Sequence, residues 1–388
     1  MIVMNRLRVS FSAEKKIKLG IQLLSSKDFP HIRLTDQMVY LYSQADSFLG
    51  TAYLSKQNKG VGWLLSSKKV TLDQAYFVEL FQKAKEKREA LANSDLTTAY
   101  RLFNQDGDFF GGMTVDRYGQ FALFSWYNAF VYQLRDQITA AFCQVYPEFL
   151  GAYEKIRFKG PDYESAHLYG KEAPRHFVVT ENGVSYSVFL NDGLMTGIFL
   201  DQRQVRNSLV NGLAAGKRVL NLFSYTAAFS VAAAMGGALE TVSVDLAKRS
   251  KELSLEHFQA NYLDMAQHQL LVMDVFEYFK YAKRHQLTFD VLIIDPPSFA
   301  RNKKATFSVS KDYHKLISQG LEILSEGGLI IASTNASNMT VPQFKKQIEK
   351  GFEKQKHAYL DLQQLPSDFA VNPKDESSNY LKVFTIKV

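Results

Sequence analysis

Cysteine is nearly absent from this chain: Cys143 is the one cysteine in 388 residues. A lone cysteine excludes a disulfide within the chain and any zinc site built from cysteines. No apolar run approaches the roughly 20 residues needed to cross a bilayer, which argues against a membrane span. The opening MIVMNRLRVSFSAEKK lacks the basic, apolar, small-residue order of a secretory signal, so a cytoplasmic protein is expected. The eight histidines are scattered without ligand spacing, and no metal site is expected. No internal repeat or low-complexity tract interrupts the chain.

Acidic residues are scarce at one end. Residues 1–70 hold eleven Lys or Arg against four Asp or Glu, whereas the remaining chain holds 35 of each. The whole excess of +7 therefore sits in the first fifth of the sequence. This segment, 1–70, reads as a small basic β domain. Candidate strands are 38–43, 48–54 and 61–65, and a helix is expected near 13–24, carrying Lys15, Lys16 and Lys18. Lys56, Lys59, Lys68 and Lys69 fall in turns among Tyr40, Tyr42, Tyr53 and Trp63. Cations neutralise phosphates and rings stack on bases, so this pattern points to RNA. The alternative is a solvated surface over an aromatic core.

Residues 71–175 read as a central α+β domain, with helices over 73–93 and 131–145 and strands near 99–103, 111–116, 121–126 and 153–158. Cys143 falls beside the apolar stripe of the second helix, where a packed or semi-buried thiol is expected. Residues 176–388 open with a hairpin and then alternate strand and helix. They end in two strands, 359–363 and 381–387, that look like an antiparallel pair. That order predicts an α/β doubly wound sheet, whose ligands bind at the carboxyl ends of the strands.

Polar residues recur at those ends. The turn after the strand 219–223 reads Phe-Ser-Tyr-Thr-Ala-Ala-Phe, with neither G-x-G-x-x-G nor a Walker lysine. A dinucleotide pyrophosphate is therefore disfavoured, and an adenosine ligand ending in an amino acid fits better. Asp245 follows Ser224 by 21 residues, close to the spacing of about 20 for a ribose-binding acid. Asp274 follows the third strand and suits an adenine amino group. Both aspartates also suit helix capping. After the strand 290–294 comes Asp295-Pro296-Pro297-Ser298-Phe299. Two prolines fix the backbone and remove two N–H donors, leaving carbonyl acceptors beside a ring that can stack on a base. A loop, Arg301-Asn-Lys303-Lys304, follows and suits RNA phosphates or plain solvation.

These residues carry a resemblance. The run Asn191-Asp-Gly-Leu-Met-Thr-Gly-Ile-Phe-Leu-Asp-Gln-Arg203, then Val219-Leu-Asn-Leu-Phe-Ser-Tyr-Thr226, Asp245, Asp274 and Asp295-Pro-Pro297 are similar to class I S-adenosylmethionine-dependent rRNA methyltransferases. Nearly the whole chain resembles the large-subunit rRNA cytosine-5 methyltransferases that carry an N-terminal PUA domain. The resemblance implies a PUA-like domain at 1–70, a central α+β domain at 71–175, and a seven-stranded Rossmann-like methyltransferase domain at 176–388. It implies S-adenosyl-L-methionine as cofactor, S-adenosyl-L-homocysteine as product, and large-subunit rRNA as partner. Phe199, Asp201, Gln202 and Arg206 would line the mouth of the site. Asn221, Leu222, Phe223, Ser224 and Tyr225 would hold the methionine end. Asp245 with Leu246 would bind ribose, and Asp274 with Val275 adenine. Asp295, Pro296 and Pro297 would face the methyl group and the base. Lys15, Lys16, Lys18, Phe299, Arg301, Lys303 and Lys304 would meet RNA. A homodimer is compatible with the sequence.

The chain departs from this family in two places. Ala227-Ala228 stands where glycines are usual. More importantly, the family's catalytic cysteine after the fifth strand is missing: the stretch reads Ile331-Ala-Ser-Thr-Asn-Ala-Ser-Asn338. Carbon-5 methylation needs a thiolate to attack carbon 6, and Ser or Thr hydroxyls are scarcely ionised near neutral pH. Ring-nitrogen methylation needs only proximity and in-line approach. A bacterial family that methylates guanine at nitrogen 7 has a similar Asp-Pro-Pro-Thr-Phe motif without that cysteine. The expected reaction is therefore base methylation at a ring nitrogen, with Asp295 or Asn335 positioning the base. The rival readings are the 5-methylcytosine reaction, a small-molecule methyltransferase, and a non-catalytic RNA-binding assembly factor.

Overall fold

A computed structural model describes residues 5–32, 34–301 and 306–388. The chain forms two compact units. The first takes in the chain up to Phe177, with Phe189–Thr196 and Ser367–Ser378; the second comprises Val178–Val188, Gly197–Pro366 and Asn379–Val388.

The first unit contains two five-stranded sheets. One has the order Asn5–Arg8, Gln37–Tyr42, Phe48–Leu54, Gly62–Ser66, Leu23–Leu24. Helix Phe11–Lys18 packs Ala13 and Ile17 onto Val39, Leu41, Ala52 and Leu54 of that sheet. The other has the order Ser165–Gly170, Gly151–Ile156, Phe121–Trp126, Met113–Tyr118, Ala99–Asn104. A shared aromatic core joins the two: Tyr53 and Trp63 pack with Phe77, Phe110 and Met113. The Tyr53 hydroxyl donates to the Gly111 carbonyl at 2.8 Å, and a Cβ at Gly111 would lie 2.1 Å from the Trp63 ring. The segment Ser367–Ser378 is held by Arg88, which is buried, donates to the Asp368 carbonyl and pairs in bidentate fashion with Asp108. Burial alone would raise the Asp108 carboxyl, but Arg88 and Lys87 outweigh it and hold that carboxyl below its ordinary value.

Several helices are shorter than the sequence suggests. The first ends at Lys18, because Gly20 turns at φ +91° and Leu23–Leu24 then pairs with Gly62 and Trp63. The span 73–93 divides into Gln74–Glu86 and Glu89–Ala92 around Arg88, whose φ of −110° is not helical. The span 131–145 divides into Ala129–Gln133 and Arg135–Val145. Cys143 is exposed, not packed: Ile138, Ala141 and Phe142 form the buried face of that helix and leave it outside.

The second unit is built on one seven-stranded sheet. Its strands are β1 (Arg218–Leu222), β2 (Glu240–Asp245), β3 (His268–Val272), β4 (Phe289–Ile294), β5 (Leu324–Thr334), β6 (Ala358–Gln363) and β7 (Lys382–Lys387). The order is β3-β2-β1-β4-β5-β7-β6. The first five are mutually parallel; β7 runs antiparallel to both β5 and β6. Val291-Leu-Ile-Ile294 of β4 is wholly buried, as expected for a strand covered on both faces. Helices Ala228–Met235, Lys248–Ala260, Val275–Arg284, Val309–Leu321 and Val341–Phe352 supply the cover. Strand order reverses direction at β1 and β4, and that switch point places a crevice at their carboxyl ends. No described helix is long and apolar enough to cross a membrane.

Candidate active site

The carboxyl ends of β1, β2, β3, β4 and β5 bring most of the anticipated residues to one edge of the second unit. The turn after β1 is strained. Phe223, Tyr225 and Ala227 all have left-handed φ, at 57°, 49° and 58°. Each such residue costs about 1–2 kcal/mol, so the surroundings must hold the turn in place. Asp245 does much of this: its Oδ2 accepts from Tyr225 N at 2.9 Å and its Oδ1 from Ala247 N at 2.8 Å. Ser224 N donates to the Val244 carbonyl, and Ala227 N to the Ser224 carbonyl. Below the turn, buried Asn221 donates to Ser230 Oγ at 3.0 Å, and Ser230 meets Ser243 at 2.7 Å. Asn221 Oδ1 is buried and has no hydrogen-bond partner among the described residues.

The segment Gly197–Arg206 closes against this turn. Tyr225 OH accepts from Gly197 N at 3.2 Å, and Thr226 Oγ1 donates to the Gly197 carbonyl at 2.6 Å. The Phe199 ring lies 5.2 Å from that of Tyr225 and stays half exposed, while Tyr380 OH donates to Asp201. Arg206 does not line the mouth. Buried, it forms a bidentate pair with Glu181 at 2.6 and 2.8 Å and donates to the Phe199 carbonyl, so it holds the mouth segment from behind.

At β4 and β5, Gln202 Nε2 lies 3.3 Å from both oxygens of Asp295 and 2.9 Å from Ser333 Oγ. Burial raises the Asp295 carboxyl to about 6; hydrogen bonding to Ser333 and Gln202 opposes the rise, and the charge of Asp201 adds to it. Tyr313 OH donates to the Ile294 carbonyl beneath it. Pro296 is buried and Pro297 exposed. Ser298 Oγ donates to Asn335 Oδ1 at 3.0 Å, tying the loop after β4 to the loop after β5. Asn335 and Phe299 are both exposed, Phe299 at 63%.

At β3, Asp274 caps helix Val275–Arg284 through Phe276 N and Glu277 N, and Val275 is buried behind it. Leu246 is exposed beside Asp245, and Leu222 is core. Sequence reasoning missed the antiparallel strand pair Phe299–Arg301 and Thr306–Ser308, whose Phe307 ring lies 6.2 Å from Phe223 and 6.1 Å from Phe276. It also missed Ser333. Lys303 and Lys304 lie outside the described residues. In the first unit, Lys16 pairs with Asp28 and Lys18 with Glu14, while Lys15 is exposed. Among the described residues no group of His, Cys, Asp and Glu is arranged to hold a metal.

A family model for S-adenosylmethionine-dependent methyltransferases matches residues 137–375, and one for the PUA-like domain matches residues 7–67. The chain belongs to the S-adenosylmethionine-dependent methyltransferases and carries a PUA-like domain near its N-terminus. It is 41% identical over 96% of both chains to a Bacillus subtilis protein named "Putative ribosomal RNA large subunit methyltransferase YwbD". It is 30% identical, over 82% of this chain and 81% of the other, to Ribosomal RNA large subunit methyltransferase I of Yersinia pestis. A solved structure of SMU.776, described as "a putative methyltransferase complexed with SAH", is 76% identical, with a TM-score of 0.96 over 99% of this chain and all of that one.

Proposed function

We propose that this enzyme methylates a base of large-subunit ribosomal RNA at a ring nitrogen. The observation that carries the choice of atom is the loop after β5. Thr334 and Asn335 stand there without a thiol, and the one cysteine is exposed on a helix of the other unit. Covalent activation of a pyrimidine at carbon 6 therefore has no thiolate at the end of β5. The choice of rRNA rests on the names of the two curated relatives.

The residues fit an adenosine-containing cofactor. In this reading Asp245 uses acceptor capacity left over from its two backbone bonds to receive ribose hydroxyls. Asp274 and Val275 flank the adenine, beside the rings of Phe276 and Phe307. The strained turn from Phe223 to Tyr225 and the unpartnered oxygen of Asn221 face the amino-acid end. When bound, S-adenosylmethionine supplies an electrophilic methyl on a sulfonium sulfur and leaves as S-adenosylhomocysteine. The protein's own part is positioning. Asp295 accepts an N–H of the base, and Asn335 donates to it. Pro296 and Pro297 keep the loop from yielding, and Phe299 stacks on the exposed ring face. Gln202 and Ser333 fix the Asp295 carboxylate.

Nucleoside mass spectrometry of large-subunit rRNA from a deletion strain tests this. The expected result is loss of one ring-nitrogen-methylated base, restored by the wild-type gene. Loss of 5-methylcytosine alone would contradict it.

A further inference from the structure

The N-terminal sheet has a second face that the helix Phe11–Lys18 does not cover. Along Gln37–Tyr42, Val39 and Leu41 point into the core under that helix, so Tyr40 and Tyr42 point the other way. The parallel neighbour Asn5–Arg8 places Arg6 opposite Tyr40 and Arg8 opposite Tyr42. On the other side, Phe48 packs edge-on against both tyrosines, with ring centroids 5.8 and 5.6 Å away. Cations cap these rings. The Arg6 guanidinium lies 4.0 Å from the Tyr42 centroid, and Lys69 Nζ lies 5.3 Å from Tyr40 and 5.9 Å from Phe48. All three rings remain partly open to solvent.

Charge sets this face apart from the helix. Lys16 and Lys18 of the helix are each occupied by a carboxylate. On the sheet face, Arg6 and Arg8 share the single Asp46, and their side chains are 60% and 59% exposed. Lys68 and Lys69 are exposed and form no ion pair among the described residues. Exposed pairs of this kind hold weakly and exchange readily for a phosphate.

We propose that this outer face, Arg6, Arg8, Tyr40, Tyr42, Phe48 and Lys69, docks a single-stranded stretch of the RNA substrate. The proposal rests on the RNA reading above and adds where the RNA is gripped. A row of contacting rings beneath exposed cations suits unstacked bases lying on the rings, with their phosphates drawn to Arg6, Arg8 and Lys69. Duplex RNA hides its base faces and gains only the electrostatic share.

The test uses the full-length protein and a fluorescent, unstructured oligoribonucleotide of about 12 nucleotides, a length within reach of such surfaces. Tyr42→Leu is expected to weaken binding about tenfold, and Tyr42→Phe to restore it. The pair Arg6→Ala and Lys69→Ala is expected to lower the slope of log affinity against log salt by about 1.4. S-adenosylhomocysteine binding, followed by calorimetry, should be unchanged in all of them. If these variants bind the oligonucleotide as wild type does, the docking face is wrong while the RNA reading stands. If wild type binds S-adenosylhomocysteine but no RNA, the RNA reading itself fails, and the face with it. Equal affinity of Tyr42→Leu and wild type for single-stranded RNA, with the salt slope still reduced in the Arg6 and Lys69 pair, overturns the stacking role.

Discussion

Gln202 Nε2 lies 3.3 Å from both carboxylate oxygens of Asp295 and 2.9 Å from Ser333 Oγ, so one amide bridges the ends of β4 and β5. Burial pushes the carboxyl that it holds up to about 6. Activity should therefore rise as pH passes through about 6 and Asp295 ionises. Gln202→Leu removes a donor to the ionised form, so the acidic limb of the pH–rate profile should move to higher pH. Asp295→Asn should lower kcat by about a hundredfold, as misplacement of the reacting base does, with S-adenosylhomocysteine affinity nearly intact. A pH profile of kcat for the three proteins checks this; an unmoved limb in Gln202→Leu would separate that amide from the carboxyl.

The same carboxyl has a stability signature. Its folded pKa, about 6, is above its ordinary 3.8, so the folded state binds more protons in that window. Its contribution is present below 3.8 and lost as pH rises through 6. Asp295→Asn should flatten the fall in stability between those values. Urea unfolding of both proteins at several pH values reads it directly.

Asp108 has the opposite sign. Its carboxyl is held below 3.8, so its contribution is present above that value and lost as pH falls through the folded pKa. Arg88 and Asp108 are each 1% exposed in their side chains, and Arg88→Met would leave that buried carboxylate with Lys87 as its one remaining cation among the described residues. We expect a loss of about 3–5 kcal/mol in unfolding free energy near neutral pH, diminishing toward acid. Because Arg88 also anchors Asp368, the segment Ser367–Ser378 should show faster amide exchange in the variant.

Asp245 joins two jobs, shaping the turn and offering acceptors. Asp245→Ala should weaken S-adenosylhomocysteine binding at least tenfold, about 1.4 kcal/mol, in calorimetry. It should also free Tyr225 N and loosen the strained turn. Asp245→Asn keeps an acceptor and should fall between the two.

Cys143→Ser should leave methylation within about twofold of wild type, because Cys143 is exposed and substitutions at the surface usually do little. A collapse of activity in this variant would show that a thiol takes part.

The sheet was legible because its strands are short, apolar and rich in β-branched residues, and parallel strands bury both faces. The stretches 219–223, 241–245, 269–272 and 290–294 read as strands, which put Ser224, Asp245, Asp274 and Asp295 at or just past their ends. What stayed hidden depends on long-range partners. Nothing near Arg206 in sequence announces Glu181, which turns a candidate mouth residue into a buried support. Gln202 meets Ser333 across 131 positions. Helical periodicity ran on through 13–24 because Leu23 and Leu24 keep its apolar beat; tertiary pairing with Gly62 and Trp63 made them a strand. The side of the helix on which Cys143 lies was a matter of one residue, about 100° of turn.

The choice of methylated atom is tested most directly by incubating the purified enzyme with methyl-deuterated S-adenosylmethionine and large-subunit RNA from the deletion strain, then digesting to nucleosides for tandem mass spectrometry. The account predicts the heavy methyl on a base ring nitrogen, at one nucleotide, in wild type and Cys143→Ser alike. A heavy methyl on carbon 5 of cytosine would contradict it.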